Sequence, residues 1–112
     1  MASSQMLKGM LDGCILAIIS QKETYGYEIS EQLKKYGFGK ITEGTIYPLL
    51  LRLEKNGFIN ATYRQSELGP KRKYYFLTSD GKKELASFIK NYQQLTAAIN
   101  LLLEKSGGKT NE

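Results

Sequence analysis

The chain has 112 residues, sixteen of them Lys or Arg and eleven Asp or Glu, which gives a net charge of +5 and an isoelectric point near 9.3. This length holds one domain with a small core, and the charge favours an anionic partner. The chain has no histidine, so we expect no zinc site, no cofactor, and no Ser–His or Cys–His catalysis.

The only cysteine, Cys14, cannot form an internal disulfide, which fits a reducing compartment. Its apolar neighbours predict a thiol packed in the core and not a redox switch. The first residues, MASSQMLK, lack a basic region followed by a signal-peptide core, and the longest apolar run, Cys14–Ile19, is far too short to span a bilayer. We therefore expect a cytoplasmic protein that does not bind membranes.

The first two predicted helices cover residues 6–20 and 25–36. Apolar residues of the first helix lie on more than one side, so part of its surface is expected to pack against another subunit. Thr24 is the predicted cap of the second helix. The expected inward residues of the second helix are Ile29, Leu33 and Tyr36. Gly37 and Gly39 then break this helix.

The rest of the chain is organised around a third predicted helix, within residues 42–56. One buried stripe is predicted from the spacing i, i+3, i+4, i+7: Ile46, Leu49, Leu50 and Leu53. Thr42 or Gly44 could cap its start, and Asn56-Gly57 supplies a left-handed end. Pro48 lacks a backbone donor, so the helix is expected either to start late or to kink there.

The outer side of this third helix carries hydroxyls, one aromatic ring and cations. These residues are Thr42, Thr45, Tyr47, Pro48, Arg52 and Lys55. Such a face suits the major groove of DNA. An ordinary amphipathic helix with a wetted polar side is the alternative, and this stretch taken alone favours that alternative.

A hairpin is predicted next, with strands over residues 58–64 and 73–77 joined by a turn that contains Gly69-Pro70. Its positive charge comes from Arg64, Lys71, Arg72 and Lys73. These cations could simply be a solvated strand edge that discourages aggregation. Beside a helix suited to DNA, they favour the wing of a winged helix-turn-helix.

A last helix, capped by Thr78 or Ser79, carries apolar residues at alternating steps of three and four. They are Leu85, Phe88, Tyr92, Leu95, Ile99 and Leu102. Packing on the same domain is the alternative, but a partner helix accounts better for so long a seam. The expected organisation is a winged helix-turn-helix over residues 1–78, a dimerisation helix over 79–105 and a disordered tail over 106–112, in a mainly α fold with a small β-hairpin.

Five stretches in this order resemble the PadR family of bacterial transcriptional regulators. They are Tyr25–Ile29 (YGYEI), Glu43–Pro48 (EGTIYP), Arg52–Glu54 (RLE), Gly69–Tyr75 (GPKRKYY) and Leu77–Gly81 (LTSDG). The similarity covers about residues 5–104 without a large insertion. It implies a winged helix-turn-helix with a dimerisation helix, usually in a repressor of a nearby operon. The single short C-terminal helix resembles the compact subfamily.

Together, the outer face, the wing and this resemblance predict a homodimer that binds a pseudo-palindromic operator in double-stranded DNA. Helix residues assigned to DNA binding are Thr42, Glu43, Gly44, Thr45, Tyr47, Pro48 and Arg52, and wing residues are Arg64, Lys71, Arg72 and Lys73. The hydroxyls are expected to donate hydrogen bonds, mostly to phosphates, and the cations to neutralise phosphates. Gly44 would let the backbone approach the duplex closely.

The resemblance also implies a small-molecule effector, because members of the family release DNA on binding phenolic acids, drugs or other small aromatics. Members that bind planar drugs at the dimer interface use tryptophan, which this chain lacks. Tyr92 and Phe88 could substitute, but we expect them to be plain core.

Two functions of other classes compete with a DNA-binding regulator. A winged-helix module that binds proteins and not DNA would share the fold, but the sign of the wing charge argues against it. An enzyme would need a nucleophile paired with a base, and no spacing in the chain provides one.

Overall fold

The computed structural model describes Leu7 and residues 9–107. These residues form four helices and one two-stranded antiparallel sheet. In chain order the elements are α1 (Leu11–Gln21), α2 (Gly26–Lys35), α3 (Glu43–Lys55), β1 (Ile59–Arg64), β2 (Arg72–Leu77) and α4 (Ser79–Lys105). The mainly α fold with a small hairpin, a winged helix-turn-helix followed by a long helix, is thereby confirmed. Most of the predicted tail, residues 108–112, lies outside the described residues.

The central helix of the core is α1, which contacts α2, β2 and α4. It begins at Leu11, later than predicted, because a turn at Gly9–Met10 precedes it and Gly9 has a φ of 85°. Its apolar residues are buried on more than one face, as predicted: Leu11, Ile15, Leu16, Ile18 and Ile19.

The prediction for α2 was wrong at both ends. Tyr25 and not Thr24 is the N-cap residue. Thr24 is buried and pairs its backbone with Tyr75 of β2, while its hydroxyl donates to Glu28 at 2.6 Å. Tyr36 is 61% exposed and is the C-cap residue, one position beyond the last helical residue, Lys35.

The buried stripe of α3 is confirmed, with Ile46, Leu50 and Leu53 at the core and Leu49 half-buried against it. The helix does not start late, because Pro48 is its sixth residue.

Thr42 occupies the N-cap position of α3 without a hydrogen bond from its side chain to the helix backbone. At the other end Gly57 has a φ of 83°. The amides of Gly57 and Phe58 donate to the carbonyls of Glu54 and Leu53, a Schellman ending.

The two strands pair in register from Ile59↔Leu77 to Arg64↔Arg72 and form the wing. Ile59 and Tyr75 face the core. The Thr24↔Tyr75 bridge attaches the wing to the loop between α1 and α2. The hairpin is therefore held at its base from two sides, while its tip projects away from the core.

Thr78 caps α4, because its hydroxyl accepts a hydrogen bond from the Gly81 amide at 3.0 Å. Of the predicted seam, Leu85 packs on the core and Phe88 lies against Gly13 of α1. The other four seam residues are exposed in the single chain: Tyr92, Leu95, Ile99 and Leu102. Packing on the same domain thus accounts for the start of the seam only.

Candidate nucleic-acid interface

The outer face of α3 is the set of exposed residues opposite its buried stripe. It comprises Gly44, Thr45, Tyr47, Pro48, Leu51, Arg52 and Lys55. Gly44, Pro48, Leu51 and Lys55 follow the spacing i, i+4, i+7, i+11, so they form one line along the middle of this face. Because the opposite side of the helix is buried in the core, this line of residues faces solvent.

Exposed hydroxyls gather at the start of α3. The hydroxyl oxygens of Thr42 and Thr45 lie 3.4 Å apart, and the Tyr47 hydroxyl donates to Glu43 Oε2 at 3.0 Å. Burial, together with this carboxylate, raises the pKa of Tyr47, so its hydroxyl stays protonated and remains a donor at neutral pH. A helix N-terminus rich in donors is suited to binding an anion such as a phosphate.

The ring of Tyr47 is positioned by the first residue of α2. A Cβ atom on Gly26 would lie only 2.8 Å from the Tyr47 ring, so no larger residue fits there without a shift. This contact joins the YGYEI and EGTIYP motifs, which lie at the starts of two different helices. Position 26 requires glycine because the Tyr47 ring lies so close to its Cα atom, and not because its backbone angle is one that only glycine adopts.

An open cleft of about 610 Å³ lies between α3 and the wing. We name it the α3–wing cleft. It is lined by Tyr25, Gly26, Tyr47, Pro48, Leu51, Lys71, Arg72, Lys73 and Tyr75. Aromatic and apolar side chains from the helices and β2 thus lie beside three cations of the wing. No acidic residue is among these lining residues, which makes the cleft suited to an anionic partner.

The four wing cations differ in their surroundings. The Arg72 guanidinium lies 4.6 Å from the centre of the Tyr25 ring, and that of Arg64 lies 4.5 Å from the centre of the Tyr74 ring. Because Tyr25 and Tyr74 are also in edge contact at 5.2 Å, the wing and the start of α2 share one aromatic–cation cluster.

Two wing cations have acidic partners within the chain. Arg64 forms an ion pair with Glu23. Lys73 Nζ donates to Glu54 Oε1 at 3.0 Å, and this hydrogen bond raises the pKa of Lys73. Lys71 is exposed and belongs to none of the ion pairs among the described residues. Lys71 and Arg72 are therefore the wing cations most available to an external anion.

Arg52, predicted as a phosphate contact, also has an acidic partner. Its Nη2 donates to both carboxylate oxygens of Asp12, at 2.6 and 2.8 Å. The pair joins α3 to α1 and partly neutralises the guanidinium, although the Arg52 side chain remains 53% exposed. Arg52 thus contacts α1 in this structure, and Arg52 does not line the α3–wing cleft.

Of the predicted DNA-binding residues, the α3–wing cleft brings together Tyr47, Pro48 and Lys71–Lys73. Thr42, Thr45 and Arg52 instead border a separate cavity between α1 and α3. Arg64 borders the wing turn and is not among the residues that line the cleft. Sequence reasoning missed Leu51 and the packing role of Tyr25. Leu51 could have been found from its position, because an apolar residue outside the buried stripe is unexpected on a polar face. Tyr25 carried no comparable signal.

Neither a metal site nor a membrane-spanning helix is found among the described residues. No group of three or more Cys, Asp or Glu side chains within Leu7 and residues 9–107 is arranged to hold a metal ion. No helix in the same part of the chain has the length and apolar character needed to cross a membrane.

The sequence and the fold of this chain are both similar to those of known proteins. The model of the transcriptional regulator PadR-like family matches residues 15–87. A PadR-like transcriptional regulator from Bacillus cereus has a crystal structure that is 53% identical, with a TM-score of 0.81 over 89% of this chain and 97% of that chain.

A second relative is the negative transcriptional regulator PadR of Bacillus subtilis. It is 32% identical over 80% of this chain, which spans about half (50%) of its length. A crystal structure of Bacillus subtilis PadR in complex with operator DNA is 30% identical, with a TM-score of 0.66 over 71% of this chain and 46% of that chain.

Proposed function

The chain belongs to the PadR-like family of transcriptional regulators, not to an enzyme family, and we propose that it is a homodimeric repressor that binds a pseudo-palindromic operator and is released by a small-molecule effector. The observation that carries DNA binding is the α3–wing cleft, where three residues of the outer face of α3 lie beside the two wing cations that belong to no ion pair among the described residues. The outer-face residues are Tyr47, Pro48 and Leu51, and the cations are Lys71 and Arg72. The crystal structure of Bacillus subtilis PadR in complex with operator DNA supports the proposal that this chain also binds DNA.

In the proposed complex the outer face of α3 enters the major groove. Thr42, Thr45 and Tyr47 donate hydrogen bonds to phosphates near the helix N-terminus, and Gly44 allows close approach of the backbone. In the free chain the single hydroxyl proton of Tyr47 is donated to Glu43. On binding of DNA this donor exchanges the carboxylate for a phosphate oxygen.

Phosphate neutralisation falls mainly to two of the wing cations, Lys71 and Arg72. Arg52, Arg64 and Lys73 contribute less, because each must share its charge with an acidic partner in the chain. The wing therefore contacts the backbone chiefly along the side that lines the α3–wing cleft.

The homodimer is proposed from the exposed part of the α4 seam. Tyr92, Leu95, Ile99 and Leu102 are between 44 and 66% exposed, and together they form an apolar surface on one side of a single helix. A second copy of α4 would bury this seam. Dimerisation would then place two α3 helices about 34–36 Å apart, in successive major grooves.

The proposed effector is a small aromatic compound that binds at the dimer interface. Phe88 and Tyr92 stack with ring centroids 6.4 Å apart at an angle of 25°, and Tyr92 belongs to the proposed dimer interface. Tyr92 is 47% exposed in the single chain, so a small aromatic compound could stack on it between the two subunits. Binding of such a compound would be coupled to release of DNA, and the regulator would act in the cytoplasm, where bacterial DNA lies.

The test is selection of bound duplexes from a random pool, followed by titration of the selected duplex and of a random duplex by fluorescence anisotropy. We expect preference for the selected duplex by roughly 10³-fold or more, and a two-fold symmetric selected sequence. Equal affinity for both duplexes would contradict sequence-specific regulation. Absence of binding would favour the protein-interaction module.

A further inference from the structure

Leu51 is an unexpected residue on the outer face of α3. Its side chain is 66% exposed in the middle of that face, one turn beyond Pro48 on the same line. Single exposed leucines are common on protein surfaces. This one differs in its location, because it lines the α3–wing cleft together with Pro48 and three cations of the wing.

The chemistry of the major groove limits what such a residue can recognise. A leucine side chain neither donates nor accepts hydrogen bonds. The one apolar group that base pairs present in the major groove is the C5 methyl of thymine. The cations beside Leu51 are suited to the phosphates that flank a base in that position.

We propose that Leu51, with Pro48 beside it, is a specificity-determining residue that packs against the C5 methyl of a thymine in each operator half-site. The inference rests on the proposed function and specifies which base the middle of α3 recognises. Charge selects this occupant over an apolar protein segment, because two of the residues that line the cleft, Lys71 and Arg72, are cations that belong to no ion pair among the described residues.

Replacement of thymine by deoxyuridine tests this directly, since it removes the methyl group and leaves base pairing intact. Each thymine of the selected operator is replaced in turn, symmetrically in both half-sites. With the wild-type protein we expect one or two positions at which affinity falls about three- to fivefold per half-site, the loss expected for one buried methyl group. The other positions should change little.

The same duplexes are then titrated with Leu51→Ala and Leu51→Met. Leu51→Ala should bind the thymine operator more weakly and should lose the penalty for deoxyuridine at the sensitive position. Leu51→Met keeps an apolar contact and should retain the penalty. The matched control is Leu68→Ala, which removes a 99% exposed leucine from the wing turn and should leave the penalty unchanged.

The outcomes separate this inference from the proposed function. Retention of the full deoxyuridine penalty by Leu51→Ala would overturn it, as would the absence of any sensitive thymine in an operator that the wild type binds specifically. In both cases the regulator itself stands. Failure of the wild type to bind any duplex would overturn both. A thermal melt of each variant verifies that it is folded.

Discussion

At position 26 only a hydrogen atom fits beneath the ring of Tyr47. Gly26→Ala should therefore displace this ring or the start of α2, lower the free energy of unfolding by about 1–3 kcal/mol and weaken operator binding about tenfold by misplacing one hydrogen-bond donor. Thermal melts and anisotropy titrations measure the two effects. Unchanged operator affinity would show that Tyr47 does not contact DNA.

Gly44→Ala should have the opposite effect on stability, because a Cβ atom there would meet nothing nearer than the Thr42 hydroxyl oxygen at 3.7 Å. Alanine in the helix should raise the free energy of unfolding by up to about 1 kcal/mol. Operator affinity should nevertheless fall, because the methyl group would stand between the backbone and the duplex. A rise in both quantities would exclude close approach at Gly44.

Salt titrations should distinguish residues that contact phosphates from residues that recognise the operator sequence. Lys71→Ala and Arg72→Ala should weaken operator and random duplexes by similar factors and reduce the slope of log affinity against log salt by about one per lost contact in each subunit. Thr45→Ala and Tyr47→Phe remove neutral groups, so their slopes should stay unchanged while the operator loses more than random DNA.

Lys73→Ala is the control for these titrations, because Lys73 has the same charge but is hydrogen-bonded to Glu54. Its salt slope should change less than those of its two neighbours. An unchanged slope in Lys71→Ala and Arg72→Ala would show that the wing does not touch DNA.

The thiol of Cys14 is half-buried, and burial raises its pKa. A raised pKa keeps the thiol protonated at neutral pH, and only the thiolate reacts readily with alkylating agents or peroxide. Alkylation by iodoacetamide at pH 8 should therefore be much slower in the native protein than in urea. Cys14→Ala should lose about 1 kcal/mol of stability and keep DNA binding. Peroxide-dependent loss of binding that disappears in this variant would identify a sensor instead.

At the scale of elements, the junction between the wing and α4 depends on one threonine. The Thr78 hydroxyl accepts from the Gly81 amide and donates to the Gly57 carbonyl at 2.6 Å, so it joins the start of α4 to the end of α3. Thr78→Ala should cost about 1–2 kcal/mol. The control is Ser79→Ala, at the neighbouring exposed residue, which should cost less than about 0.5 kcal/mol. Equal losses in urea titrations would contradict this assignment.

For the whole molecule, the exposed seam of α4 predicts the oligomeric state. Leu95→Asp and Ile99→Asp should each yield a folded monomer, because a charge would be buried in the dimer but remains in solvent in the single chain. Operator affinity should fall in parallel. Sedimentation at micromolar concentration measures the mass, and thermal melts verify folding.

Leu101→Asp is the control for the seam. Leu101 is 59% exposed like its neighbours, but its position falls outside the heptad series, on another side of the helix. This variant should remain a dimer. A monomeric wild type, or equal disruption by all three substitutions, would exclude the seam as the interface.

The apolar spacing in the chain was enough to predict the elements and most of the core. Ile46, Leu50 and Leu53 recur with the period of a helix, and a buried face must recur with that period wherever the helix packs. The hairpin and the end of α3 at Gly57 could be predicted for a similar reason, since short local patterns carry their own backbone preferences.

Only the tertiary structure decided which charges have partners. Arg52 and Asp12 are 40 residues apart, and Lys73 and Glu54 are 19 apart, so no local pattern relates them. The contact of Gly26 with Tyr47 and the bridge of Thr24 with Tyr75 belong to the same class. Each depends on where separate elements pack, and that placement follows from burial of the whole core, which no single stretch of sequence contains.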